Sequence, residues 1–139
     1  EQVLWGLKNC DILKISDNEI IWLTGKKNYT EGVRWICERY QIPLIFVSMG
    51  KDGSRAYYKG HMIEVKAFLN PNTIETTGAG DTFMGCVLGT ILEKGLENLT
   101  EKDLHEMLVF ANAGASIITT RKGALRVMPD KEEVLEYMQ

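Results

Sequence analysis

Leu44-Ile45-Phe46-Val47 is a run of four large apolar side chains, bounded by Pro43 on one side and by Ser48-Met49-Gly50 on the other. A run this short has no polar face to turn toward water. It therefore reads as a strand covered on both sides, the kind found where helices lie over each face of a parallel or mixed sheet. Residues 11–15 contain a second such run, Ile12-Leu13-Lys14-Ile15. Helical patterns surround both. Residues 1–9 carry Val3, Leu4 and Leu7 on one helical face, and Ser16 followed by Glu19 is a capping box for a helix that stops near Gly25. Residues 29–40 predict a third helix with Val33, Ile36, Cys37 and Tyr40 facing inward. Residues 54–59 and 61–66 predict a hairpin about Gly60. A long helix follows from Thr77-Gly78-Ala79-Gly80-Asp81 through Phe83, Val87, Leu88, Ile91 and Leu92 to Gly95. Thr100 with Asp103 caps another, residues 119–124 form a basic glycine-containing loop, and residues 130–138 form a last helix. Strands alternating with helices predict an α/β layered fold of one unit, with a central sheet too short to be complete.

Composition narrows the partners. Sixteen basic against nineteen acidic residues leave a net charge of −3, which gives no long-range attraction to nucleic acid or to an anionic membrane surface. No apolar run approaches the roughly 18 residues that cross a bilayer, and the opening EQVLWGLKNC does not read as a signal peptide. Cys10, Cys37 and Cys86 are odd in number, far apart and set in apolar patterns, as expected of reduced thiols in a cytoplasmic protein. His61 and His105 have no companion at zinc-ligand spacing and read as surface residues.

The stretch with most chemistry in it is Thr76-Thr77-Gly78-Ala79-Gly80-Asp81-Thr82-Phe83. The first amides of a helix lack internal partners and sit at the positive end of the helix dipole. Small residues at that point let an anion approach them, and the same device stabilises charge developing on a transferring phosphoryl group. Asp81 falls in the first turn. A carboxylate there can accept the proton of a hydroxyl brought within about 3 Å. The alternative reading of the same residues is a tight turn for packing, with Asp81 complementing the helix start.

The sequence TTGAGDTFMG is very similar to the C-terminal signature of the ribokinase-like (PfkB) carbohydrate kinases, and further landmarks follow the same order. The resemblance implies that Gly78, Ala79 and Gly80 form an anion hole and that Asp81 is the catalytic base. Lys14-Ile15-Ser16-Asp17-Asn18-Glu19 resembles the family's K-x-N-x-x-E segment, with Ser16 in place of Asn; this implies that Glu19 helps to organise Mg2+ through water. Residues 47–54 resemble the strand and turn along the nucleotide phosphates, which implies nucleotide contacts at Ser48, Gly50 and Gly53. Phe110-Ala111-Asn112-Ala113-Gly114-Ala115 resembles the nucleotide-side helix, with Asn112 beside the adenine. Glu75 stands where Asp is usual, in a region that holds a monovalent cation such as K+ in relatives. Its extra methylene changes the reach of the carboxylate. Cys86 replaces a smaller residue.

The resemblance spans the chain but only the C-terminal part of the family. It implies a ribokinase-like fold in which residues 1–139 are the nucleotide-binding and catalytic part of a sugar kinase, without the N-terminal sugar-binding and lid part. The motifs look most like those of bacterial fructokinases. The implied reaction is transfer from ATP, with Mg2+, to fructose, giving fructose 6-phosphate, in a parent that is a homodimer. A non-catalytic nucleotide-binding module, or a kinase for ribose, ketodeoxygluconate or a nucleoside, are the alternatives.

Overall fold

A computed structural model describes residues 1–139. The chain runs α1 (Gln2–Asn9), β1 (Ile12–Ser16), α2 (Asp17–Thr24), α3 (Tyr29–Tyr40), β2 (Leu44–Ser48), β3 (Ser54–Tyr58), β4 (His61–Val65), α4 (Ala79–Lys94), α5 (Glu101–Ile118) and α6 (Lys131–Tyr137). The four strands form one sheet in chain order. β1 and β2 are parallel, with Lys14 opposite Phe46, and β2–β3 and β3–β4 are antiparallel. The α/β reading holds, and β1 lies at one edge of the sheet.

Alternation along the strands divides the core between the two faces. Leu44, Phe46, Ala56 and Tyr58 point to α4 and α5, where they meet Phe83, Val87, Leu104, Met107 and Leu108. Ile15, Ile45 and Val47 point the other way, onto Ile20 of α2 and Val33 and Ile36 of α3. β2 is thus buried on both sides, as its uninterrupted apolar run requires.

Helix ends follow local chemistry. Ser16 and Glu19 form the capping box of α2, which closes on Gly25 in the left-handed conformation (φ +65°). Thr100 with Asp103, and Asp130 with Glu133, build the same box on α5 and α6. Two expectations are corrected, and one residue of a correctly placed helix faces outward. Cys37 is exposed rather than inward, because Val33 and Ile36 already cover the sheet side of α3. Of Val3, Leu4 and Leu7, Leu7 alone is buried. Leu92 points to solvent, since the inner face of α4 passes through Val87 and Ile91. No helix is long and apolar enough to cross a membrane.

Candidate active site

The head of α4 is shaped by the turn before it. Gly78 is its N-cap with φ +78°, and a Cβ there would stand 3.1 Å from both Ala124 and Ile118. The positive φ favours glycine, and a Cβ would enter only if these neighbours gave way by a few tenths of an ångström. Ala79 N–H is spent within the turn, donating to the Thr76 carbonyl at 3.2 Å. Thr82 N–H makes the first helical bond, to the Gly78 carbonyl at 2.9 Å. The amides of Gly78, Gly80 and Asp81 donate to no protein acceptor, so the free donors at this helix head are those three rather than Gly78, Ala79 and Gly80. Asp81 is exposed and pairs with no cation.

Lys14 brings a second positive feature to the same place. It shares the α4 side of the sheet with Phe46, and its Nζ would lie 2.8 Å from a Cβ built on Gly80. No carboxylate forms an ion pair with it. A cation at a helix N-terminus is unfavourable, by roughly the 0.3–1 kcal/mol that an anion gains there. An ammonium held against free amides becomes favourable once an anion sits between them. Sequence patterns alone give Lys14 no role of its own. In the sequence it is marked only as the lysine that opens the Lys14–Glu19 segment and as a charged residue inside an otherwise apolar strand.

Glu19 lies just beyond the carboxyl end of β1. Its Oε2 accepts Ser16 N–H at 2.8 Å, and Ser16 Oγ accepts Glu19 N–H at 3.2 Å. The hydrogen bonds from the Ser16 backbone and side chain, with help from the nearby Lys14 charge, hold this carboxyl below the usual glutamate range. One oxygen is thus fixed by the cap, while Oε1 remains available to solvent.

Ser48 ends β2 in register with Ser16 on one side and Ser54 on the other. Gly50 follows with φ +55° and open space around it. Gly53 has a structural reason of its own: at φ +106°, any Cβ would collide with the Val65 carbonyl. Asn112 is a clamp. Its Oδ1 accepts from Ser54 Oγ at 2.8 Å, while Nδ2 donates to the carbonyls of Val65 and Lys66 at 3.2 and 3.1 Å. With both amide protons committed and the residue 7% exposed, its polar atoms join α5 to the sheet instead of facing a ligand. Glu75 Oε1 accepts Gly123 N–H at 2.6 Å, tying the approach to α4 to the loop after α5. The structure therefore gathers Lys14, the α4 head and Asp81, with Glu19 near Lys14. Ser48 and Gly50 lie at the same end of the strands. Asn112, Gly53 and Glu75 support the frame.

Free amides and an unpaired ammonium over the carboxyl end of parallel strands, beside an unpartnered carboxylate, suit a protein that handles phosphate. The chain belongs to the pfkB family of carbohydrate kinases, whose signature extends over residues 1–131. It is 33% identical over 139 residues to probable fructokinase-2 of Arabidopsis thaliana, covering 100% of this chain and 42% of that protein. It is 34% identical over 138 residues to fructokinase-1 of Zea mays, covering 99% of this chain and 42% of that one. A double mutant of the Vibrio cholerae O395 fructokinase, solved with fructose, ADP and a potassium ion, superposes with a TM-score of 0.88 at 26% identity, over 99% of this chain and 43% of that one. This chain thus spans less than half the length of these relatives.

Proposed function

We propose that residues 1–139 form the nucleotide-binding and catalytic part of a sugar kinase that phosphorylates fructose to fructose 6-phosphate with ATP. The observation that carries this reading is the convergence of the free Gly78, Gly80 and Asp81 amides with the Lys14 ammonium, next to the Asp81 carboxylate. The names of the plant relatives, and the fructose and ADP bound by the V. cholerae protein, support the substrate pair.

In this reading the γ-phosphoryl group of ATP lies against the α4 head. The sugar hydroxyl oxygen attacks phosphorus, the bond to the bridging β–γ oxygen breaks, and ADP leaves with the electron pair. Asp81 takes the hydroxyl proton as that bond forms. The free amides and Lys14 stabilise negative charge on the transferring group without having to reorganise. Mg2+ would supply charge neutralisation on the phosphates, and Glu19 fits a water-mediated contact with it through its free Oε1, kept anionic by the Ser16 cap. The sugar contacts in this reading come from chain beyond the 139 residues.

Two measurements test it. Calorimetric titration of the chain with ADP should show binding. In the full-length enzyme that this reading implies, Asp81→Asn should lower kcat for fructose at least ~10²-fold. Turnover within a few-fold of the unsubstituted enzyme removes Asp81 as base. ADP binding with no fructose phosphorylation by that enzyme leaves a nucleotide-binding module.

A further inference from the structure

Protein atoms alone zip the approach to α4 onto the loop after α5. Ile74 and Glu75 N–H both donate to the Thr119 carbonyl, at 2.9 and 3.2 Å, and the Thr73 and Thr119 hydroxyls lie 3.1 Å apart. Gly123, at φ +115°, turns its N–H onto Glu75 Oε1 at 2.6 Å. Arg121 anchors the far side of the loop on the Val127 carbonyl at 3.0 Å and on Glu133 at 2.5 Å. Gly78, the N-cap of α4, packs directly on Ala124 of this loop. The position of the helix head therefore depends on this closure.

Family resemblance places a monovalent cation here, beside an aspartate, and the structural neighbour with fructose and ADP also holds potassium. The residues of this chain do not fit that arrangement. The Gly123 N–H donates to Glu75 Oε1, so this oxygen is already committed to a protein hydrogen, and a cation seated against the same oxygen would meet the positive end of that N–H.

We propose that Glu75 replaces the cation: its longer side chain carries the carboxylate across to the Gly123 amide and sets the head of α4 without potassium. This stands on loop geometry, and only its bearing on catalysis rests on the kinase reading. The test is thermal unfolding of the 139-residue chain in potassium chloride and in tetramethylammonium chloride at equal ionic strength, with ADP affinity measured in both. The unsubstituted chain should melt within about 1 °C in the two salts, a small fraction of the roughly 2–8 °C that one lost interaction moves Tm. Glu75→Asp keeps the charge but not the reach, and should melt about 2–8 °C lower in tetramethylammonium. Glu75→Gln keeps the reach and should lose less. A potassium-specific rise in Tm or ADP affinity of the unsubstituted chain overturns the proposal. So does a Glu75→Asp chain that melts with the unsubstituted one in tetramethylammonium. The melting comparison involves neither sugar nor turnover, so it remains decisive if the kinase reading fails.

Discussion

Lys14 and Phe46 are register partners on adjacent parallel strands, and both reach α4. Phe46 meets Phe83 edge to face with ring centroids 5.9 Å apart, and the Lys14 ammonium ends beside Gly80, one helical turn earlier. Positions three apart share a helix face, so one sheet row both anchors α4 and charges its head.

The anchor predicts a large stability cost. Phe83 is 3% exposed and Phe46 fully buried, so Phe83→Ala should destabilise the chain by about 3–5 kcal/mol, measured by urea unfolding. A double-mutant cycle with Phe46→Leu should return a coupling of about 0.5–1.5 kcal/mol for the ring pair. Additive effects would show that α4 is seated by other contacts.

The charge predicts opposite signs for binding and stability. Lys14→Met removes an ammonium that faces a positive helix end, so Tm should stay level or rise. Affinity for a non-hydrolysable ATP analogue, which carries the γ-phosphate that ADP lacks, should nevertheless fall at least about tenfold, the value of a lost hydrogen bond to a charged group, and the deficit should shrink as salt is raised. Gly80→Ala puts a methyl 2.8 Å from that Nζ, so it should weaken binding of the ATP analogue less when Lys14 is already Met. Equal losses in both backgrounds would show that Gly80 serves the amides alone.

Local signals make most of the frame legible. The bounds of α3, the capping box of Ser16 and Glu19, and the Leu44–Ser48 strand each follow from residues within one turn or one strand. The head of α4 is legible because three small residues in a row leave helix amides bare just where an apolar helix begins. What escapes the sequence depends on contacts between distant segments. Asn112, which the resemblance puts beside the adenine, becomes a clamp only when α5 is laid against Val65 and Lys66, some 46 positions away. Lys14 gains meaning when β1 comes beneath a helix that starts 65 residues later. Cys37 and Leu92 lie at the margins of apolar stripes, where periodicity does not say how wide the covered face is.

The capping boxes predict acid sensitivity. Glu19, Asp103 and Glu133 each occupy the third position of a helix, and each carboxyl is held below its ordinary range. The causes are led by the Ser16 backbone for Glu19, by Lys94 for Asp103 and by Arg121 for Glu133. A carboxyl with a lower pKa in the folded than in the unfolded chain contributes stability above the unfolded value, near 4, and loses it as pH falls through the folded value. Urea midpoints should therefore be flat from neutral pH to about 5 and decline below it. Asp103→Asn should lower the midpoint at neutral pH and flatten the decline. An unchanged slope would assign acid unfolding to other groups.

Thr82 offers a substitution that should improve the protein. It follows Asp81 on α4, is 4% exposed, and its Oγ1 has no hydrogen-bond partner. Its methyl Cγ2 faces Gly114 of α5, where a Cβ would come within 3.4 Å, so the methyl side of the residue is already used for helix contact. A buried hydroxyl left unpaired forfeits roughly 1–3 kcal/mol of solvation. Thr82→Val keeps the branched shape and removes that cost. It should stabilise the chain by about 1 kcal/mol and raise Tm by a few degrees. If the hydroxyl instead turned toward bound phosphate, the same variant would lose affinity for a non-hydrolysable ATP analogue. Thermal unfolding and titration of one variant with that analogue thus separate an orphaned polar atom from a ligand contact at the helix that carries Asp81.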